Sequence, residues 1–118
     1  MSFQAMTWAI ERPVASPATR CVIMSIANRT GHDGHGWVYQ DTIARESVMS
    51  VDTVQRRVPE LIEAGFLRRI KLKRFGRRTH DYYILGCSQL FTAPLDDIRP
   101  FLPSSCDVME EADHMPAP

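Results

Sequence analysis

The sequence lacks any apolar run that approaches the roughly 18 residues needed to cross a bilayer, so a membrane-spanning protein is not expected. Its first residues show no cationic start followed by an apolar stretch, and a secretory signal is therefore not expected either. Only three cysteines are present, Cys21, Cys87 and Cys106. An odd number at wide spacings argues against a disulfide framework and favours reduced thiols in the cytoplasm.

Patterns for catalysis and metal binding are also missing. The sequence has no nucleophile elbow, no phosphate-cradling glycine loop and no carboxylate pair at a meaningful spacing, so we do not expect an enzyme. His32 and His35 lie in a glycine-rich loop, with Cys21 not far away in the chain. A zinc site would need a third and a fourth ligand, and neither a CxxC nor a paired histidine motif occurs. We therefore predict no metal and no cofactor.

The net charge of zero hides a strong segregation of charge along the 118 residues. Residues 1–80 contain 13 Lys and Arg against 7 Asp and Glu, a balance of +6. Residues 81–118 contain one Arg against 7 acidic residues, a balance of −6. The cationic part predicts a polyanionic partner, and the anionic part predicts a solvating or self-shielding role. The length suits one domain with a modest core and a tail.

Four helical patterns fill the first half of the chain. A short one covers residues 2–10, within an N-terminal helix or arm spanning residues 1–16. Ser16 and Pro17 then open a helix over residues 17–28, because serine caps a helix and proline fits its first turn. A third covers residues 41–46. Between residues 28 and 41, Trp37 to Tyr39 could form an edge strand or an apolar lead into that third helix.

The fourth helix begins after Ser50 and ends at Gly65. Its apolar residues fall within one arc at 100° per residue; they are Val51, Val54, Val58, Leu61 and Ile62. Pro59 interrupts this pattern, because proline removes an interior hydrogen bond at a cost of about 3 kcal/mol. We expect a kink there, or a straight segment that ends at Val58.

A two-stranded hairpin with a cationic tip is predicted next. Residues 66–72 alternate apolar and charged side chains, residues 82–85 favour a strand, and residues 73–79 connect the two. Seven cations lie within eleven residues, namely Arg68, Arg69, Lys71, Lys73, Arg74, Arg77 and Arg78. The remaining extension, residues 87–118, is acidic and rich in proline. Its apolar residues could pack a short helix on the domain, and we expect disorder after Ser104.

This order of elements resembles the winged helix-turn-helix domains of bacterial and phage regulators and replication initiators. The matching segments are DTIARE, SVMSVDTVQRRV, LIEAGFLRR and DYYIL, and the resemblance covers roughly residues 17–85, which predicts a domain at residues 17–86. It implies a mainly α fold with a small β-hairpin: a three-helix core plus a two-stranded wing. It also implies double-stranded DNA as the partner. Pro59 and the acidic extension depart from the family pattern.

Two groups of side chains are the expected DNA contacts. The first follows the start of the recognition helix: Ser50, Asp52, Thr53, Gln55, Arg56 and Arg57. Arg56 is the candidate for bidentate readout of a guanine, Thr53 could meet a thymine methyl or a phosphate, and Asp52 could accept from a cytosine amino group. The second group lies on the wing and would contact phosphates: Arg69, Lys71, Lys73, Arg74, Arg77 and Arg78.

The simplest function is sequence-specific binding of double-stranded DNA by a transcriptional regulator, in the cytoplasm and on the nucleoid when bound. The alternatives are a DNA-binding protein for plasmid or phage replication initiation, and a winged helix used for protein–protein contact, with its cations facing an acidic partner or RNA. One such domain usually contacts one half-site, so a homodimer is expected. The acidic extension could bind a protein partner or fold over the wing and compete with DNA.

Overall fold

A computed structural model describes residues 3–31, 33–74, 77–78, 81–103 and 107–110. Its helices are α1 (Phe3–Ile10), α2 (Pro17–Arg29), α3 (Gln40–Ser47), α4 (Val51–Glu63) and α5 (Leu95–Ile98). Its strands are β1 (His35–Val38), β2 (Leu67–Arg74), β3 (Arg77–Arg78), β4 (Asp81–Leu85) and β5 (Asp107–Glu110). Short 3-10 turns cover Gln89–Thr92 and Arg99–Phe101. Within these ranges, no helix has the length and apolar character to cross a bilayer.

The helical core joins α2, α3 and α4, and the predicted caps set where two of them begin. The Ser16 hydroxyl accepts from the Thr19 N–H at 3.2 Å at the start of α2. The Ser50 hydroxyl accepts from the Thr53 N–H at 3.1 Å at the start of α4. The predicted apolar arc of α4 is confirmed, since four of its residues are buried and the fifth is partly buried; the buried ones are Val54, Val58, Leu61 and Ile62.

Helix α4 continues through Pro59 to Glu63, so the proline does not end it, and the expected kink there stays a prediction. Leu61 and Ile62 lie beyond the proline and are almost fully buried. Burial of two such side chains contributes about 1.5–3 kcal/mol each, which offsets the cost of roughly 3 kcal/mol for the proline. The predicted stop at Gly65 is confirmed: its φ is +84°, and the Phe66 N–H reaches back to the Leu61 carbonyl at 3.0 Å.

The antiparallel sheet has the order β1-β4-β2, and β3 continues the hairpin beside the outer end of β2. This arrangement confirms the predicted hairpin and makes residues 35–38 an edge strand. Lys73 is the register partner of Arg78 in β3 and also of Asp107 in β5. Because one strand residue has one neighbour on each side, β3 and β5 lie on opposite edges of β2.

Apolar side chains cover both faces of the sheet. Tyr83 and Leu85 join the helical core, whereas Tyr82 and Ile84 belong to a second cluster. That second cluster is closed by residues of the C-terminal extension, including the fully buried Ile98, with Leu90, Phe91, Leu95 and Leu102 packed against it. The predicted packing of this extension is therefore confirmed.

Disorder after Ser104 was the expectation, and for Asp107–Glu110 the structure differs, since this segment forms β5 on the outer edge of β2. The reason is that β4 and β3 pair with only one edge of β2, so its other edge is open and another strand can complete it. The rest of the predicted disordered tail, residues 104–106 and 111–118, lies outside the described residues.

Helix α1 shares the core with α2, as the buried Ala5 and Ala9 show. The Trp8 ring meets the Phe66 ring edge to face, with centroids 6.3 Å apart. The Arg20 guanidinium donates to the carbonyls of Ala9 and Arg12, each at 2.6 Å. The predicted N-terminal helix is thus present and fastened to the rest of the fold.

Candidate nucleic-acid interface

Three residues, 48–50, connect α3 to α4. The Met49 N–H donates to the Ala44 carbonyl at 3.0 Å, and the Val48 N–H reaches the Arg45 carbonyl at 3.4 Å. Val48 occupies the left-handed region with φ 55° and ψ 52°. These bonds are those of a Schellman helix end, and Ser50 then caps the next helix at once. The result is a helix, a tight turn and a second helix.

Glu46 fastens α3 to α2. Its carboxylate accepts from the Ser25 hydroxyl at 2.6 Å and from the Arg29 Nη2 at 2.5 Å. The Arg29 hydrogen bond is the main reason why the pKa of Glu46 lies below its ordinary value. The charged form of Glu46 therefore holds the first helix of the pair on the core.

Glu60 fastens α4 to α2. Its carboxylate accepts from the Thr19 hydroxyl at 2.8 Å and from Arg57 Nη1 at 2.7 Å. The hydrogen bond from Thr19, followed by that from Arg57, lowers the pKa of Glu60. Arg57 was predicted to contact DNA; in the structure its guanidinium donates to Glu60 on the same helix, and its contact with DNA stays a prediction.

The other predicted residues of the recognition helix come together on its first two turns. Ser50, Asp52, Gln55 and Arg56 are exposed, and Thr53 is half-buried. The Arg56 Nη2 lies 3.5 Å from the Thr53 hydroxyl, too far for a good hydrogen bond, so the guanidinium can turn to another acceptor. The first N–H groups of α4 have no partner within the helix, which makes this end favourable for a negative charge.

Gln40, at the first turn of α3, was not anticipated from the sequence. Its side-chain oxygen accepts from Gln55 Nε2 at 3.0 Å, which joins the start of α3 to the second turn of α4. The two residues lie fifteen positions apart, and no spacing pattern pairs them. The bond brings a second helix N-terminus next to the exposed side chains of α4.

The wing is formed by the outer part of β2 together with β3. Its register places Lys73 directly opposite Arg78, and Arg74 directly opposite Arg77. Lys71 and Lys73 are partly exposed. The side chains of Arg74, Arg77 and Arg78, all predicted DNA contacts, lie outside the described residues. Their backbone positions nevertheless concentrate four cations in two facing pairs.

Arg69 and Arg68 differ from the rest of the cationic run. Arg69 was predicted as a DNA contact, but it is only 7% exposed and already interacts within the protein, so this assignment is corrected. It faces Tyr83 across the ladder, on the sheet face that packs against the helices. Arg68 points the other way and donates to the carbonyls of Leu90 and Ala93, at 3.1 and 2.6 Å.

The acidic extension meets the same strand from its outer edge. The register of β5 pairs Lys71 with Glu110 and Lys73 with Asp107. The two edges of the wing therefore differ in charge: β3 adds cations beside Lys73, and β5 adds acidic residues.

The structure describes one of the two loop histidines, His35. Among the residues the structure describes, no group of three or more His, Cys, Asp or Glu side chains could hold a metal ion. His32 is outside that set, and His35 Nδ1 instead lies 2.6 Å from the Tyr82 hydroxyl. Burial lowers the pKa of His35 and raises the pKa of Tyr82 to about 12. Cys21 is exposed on α2.

Residues 16–67 match the family model of a helix-turn-helix domain. The match runs from the cap of α2 to the first residue of β2, and it includes the turn and α4. Comparison with curated proteins and with solved structures gave no match. Residues 16–67 thus resemble a helix-turn-helix domain, and with the small antiparallel sheet the fold is that of a winged helix. Such a domain supports DNA binding in general.

Proposed function

We propose that this helix-turn-helix protein recognises specific sequences in double-stranded DNA and regulates transcription, without catalysing a reaction. The first two turns of α4 would enter the major groove, and the wing would contact the backbone beside it. The observation that supports this most strongly is the pair of cation–cation register partners at the wing, Lys73 with Arg78 and Arg74 with Arg77.

Like charges directly opposite each other destabilise a strand pair. A protein that keeps two such pairs next to each other gains stability when an anion neutralises them. Duplex DNA offers about one phosphate per 1.7 Å of helix axis, and binding releases the counterions that those phosphates had condensed. The wing is therefore suited to a dense polyanion.

Sequence discrimination would come from α4. Arg56 is exposed and can donate two hydrogen bonds to guanine O6 and N7. Asp52 would be repelled by phosphates, but it can accept from a cytosine amino group. The hydrogen bond between Gln40 and Gln55, at 3.0 Å, would hold the start of α3 against α4 next to these contacts.

Two copies of the chain would bind together, because a single domain of this kind covers about one half-site. Each copy would then contribute one α4 and one wing. The bound protein would lie on the nucleoid in the cytoplasm.

Selection of bound duplexes from a random pool tests the proposal. A sharply enriched palindromic sequence is expected, because a symmetric dimer reads both half-sites in opposite directions. Enriched tandem direct repeats would instead favour a replication initiator. If no duplex is retained even at low salt, the protein does not bind DNA in this way, and a protein or RNA partner for the cations becomes the better account.

A further inference from the structure

Val48 combines two costly properties at one position of the turn. Its side chain is 90% exposed, the largest exposure among the large apolar residues of the described chain. Its backbone has a φ of +55°, and it is the only residue other than glycine with a positive φ in the described ranges. A single exposed valine would not be informative, but a branched side chain in the left-handed region is a genuine outlier.

The turn explains why some residue must adopt this conformation, but not why it is valine. Helix α3 ends in a Schellman arrangement, which requires a left-handed residue after the last turn, and glycine fills that place most often. Met49 next to it is partly buried against the helical core and anchors the turn. The fold therefore needs the backbone of Val48 and makes no use of its isopropyl group.

Non-glycine residues held in rare backbone conformations tend to occur at functional sites. Val48 stands two residues before the Ser50 cap and three before Val51, the first residue of α4. This is the end of α4 from which side chains reach base edges in the proposed complex. An isopropyl group has no donor for a phosphate, and the apolar group that a base edge offers in the major groove is the C5 methyl of thymine.

We infer that Val48 is a specificity-determining residue that contacts a thymine methyl group beside the bases read by α4. This inference rests on the proposed DNA binding. It adds an apolar contact to the polar contacts of Asp52 and Arg56, and it explains why the turn keeps a side chain that the fold does not need.

The test uses the full chain and the duplex enriched from the random pool, with each thymine replaced in turn by uracil. Uracil removes only the methyl group. For the natural chain, one replacement should weaken binding about fourfold, the value of one methyl group taken out of contact. For Val48→Ala and Val48→Gly, the same replacement should change binding by less than about 1.5-fold, because their methyl contact is already lost.

Thermal unfolding without DNA supplies the second readout. Val48→Gly relieves the left-handed strain and should raise Tm by several degrees, whereas Val48→Ala keeps a Cβ in that region and should gain less. Higher stability together with lost thymine sensitivity would identify a residue retained for recognition. Ile10→Ala is the matched control, since Ile10 is an exposed aliphatic residue on α1 and should affect neither binding nor methyl sensitivity.

The outcomes separate the two proposals. If the natural chain binds its selected duplex but responds to uracil at no position, or if the Val48 variants remain as sensitive as the natural chain, the inference is overturned and DNA recognition stands. If the chain enriches no duplex, the proposed function fails, and the inference fails with it.

Discussion

The exposed side of α4 and the wing differ in the kind of charge that they carry. The cap and first two turns of α4 mix one acid, two arginines and neutral polar groups: Asp52, Arg56, Arg57, Ser50, Thr53 and Gln55. The wing pairs cation with cation across its strands. A mixed surface can distinguish one base edge from another, while the cation pairs between β2 and β3 respond to phosphates of any sequence. The difference suggests that one region provides selectivity and the other provides affinity.

The largest expected effect follows from removing the wing charges. The triple variant Arg74→Gln, Arg77→Gln and Arg78→Gln should weaken binding to all duplexes by roughly 100-fold near 0.1 M salt, since each phosphate contact contributes a slope of about −0.9 in log affinity against log salt. The slope should fall by roughly 2 to 3 units. Titration of selected and random duplexes over a range of salt concentrations measures both. Arg99→Gln, an exposed arginine on the C-terminal extension, is the control.

The same triple variant should be more stable without DNA, because two like-charged cross-strand pairs are relieved at about 0.2–1 kcal/mol each. A variant that loses stability instead would show that these arginines support the fold. The cations of the wing would then have a structural role and would not be kept only for binding an anion.

The next effect concerns Arg56. Replacing it with alanine should cost roughly 1–3 kcal/mol on the selected duplex and relax the preference at a single base pair, because the contact is to one base edge. Repeating the selection with the Arg56→Ala chain measures this loss of preference. An equal loss on every duplex would mean that Arg56 touches phosphate, and α4 and the wing would no longer differ in role.

The acidic extension should modulate the wing by a smaller factor. Removing residues 104–118, which hold four acidic side chains, should tighten binding to random duplexes several-fold at low salt, and the gain should shrink at high salt. A full-length chain with those acids replaced by amides separates charge from strand pairing. If this chain binds like the natural one while the truncated chain binds more tightly, pairing of β5 is what competes with DNA. Unchanged affinity in both would rule out competition.

The smallest effect concerns Glu46, which fastens α3 to α2. The pKa of Glu46 is lowered in the folded protein, so its stabilisation is complete above the ordinary carboxyl pKa and is lost as pH falls through the lowered value. Glu46→Gln should therefore cost about 1 kcal/mol at pH 7 and nothing at strongly acidic pH. Urea unfolding at both pH values checks this, with the exposed Glu63→Gln as the control. A pH-independent loss would point to packing rather than charge.

The sequence predicted the parts of the fold that depend on local patterns. The caps at Ser16 and Ser50, the apolar arc of α4 and the stop at Gly65 follow from residues close in the chain, and the structure confirms them. It did not predict the strand β5, because pairing between distant segments leaves no periodic signal.

The candidate site was likewise predictable where it depends on local patterns, and not where it depends on distant contacts. Alternation correctly placed Arg69 with Lys71 and Lys73 on one face of β2, but it could not show that the helices cover only the inner end of that face. The bond between Gln40 and Gln55 depends on how two helices cross, which no spacing reveals. The sequence did contain a signal for Val48. The turn at residues 47–50 requires a positive φ, and none of these residues is glycine.

The wing grows directly out of the β2–β4 ladder, and every residue of β4 is buried. The base of the wing is thereby held on the core that carries α4. The distance between α4 and the base of the wing would then be fixed. The duplex would have to bend or change its groove width to contact both. Because the cost of such deformation depends on sequence, base pairs that no side chain touches would still affect the choice of site.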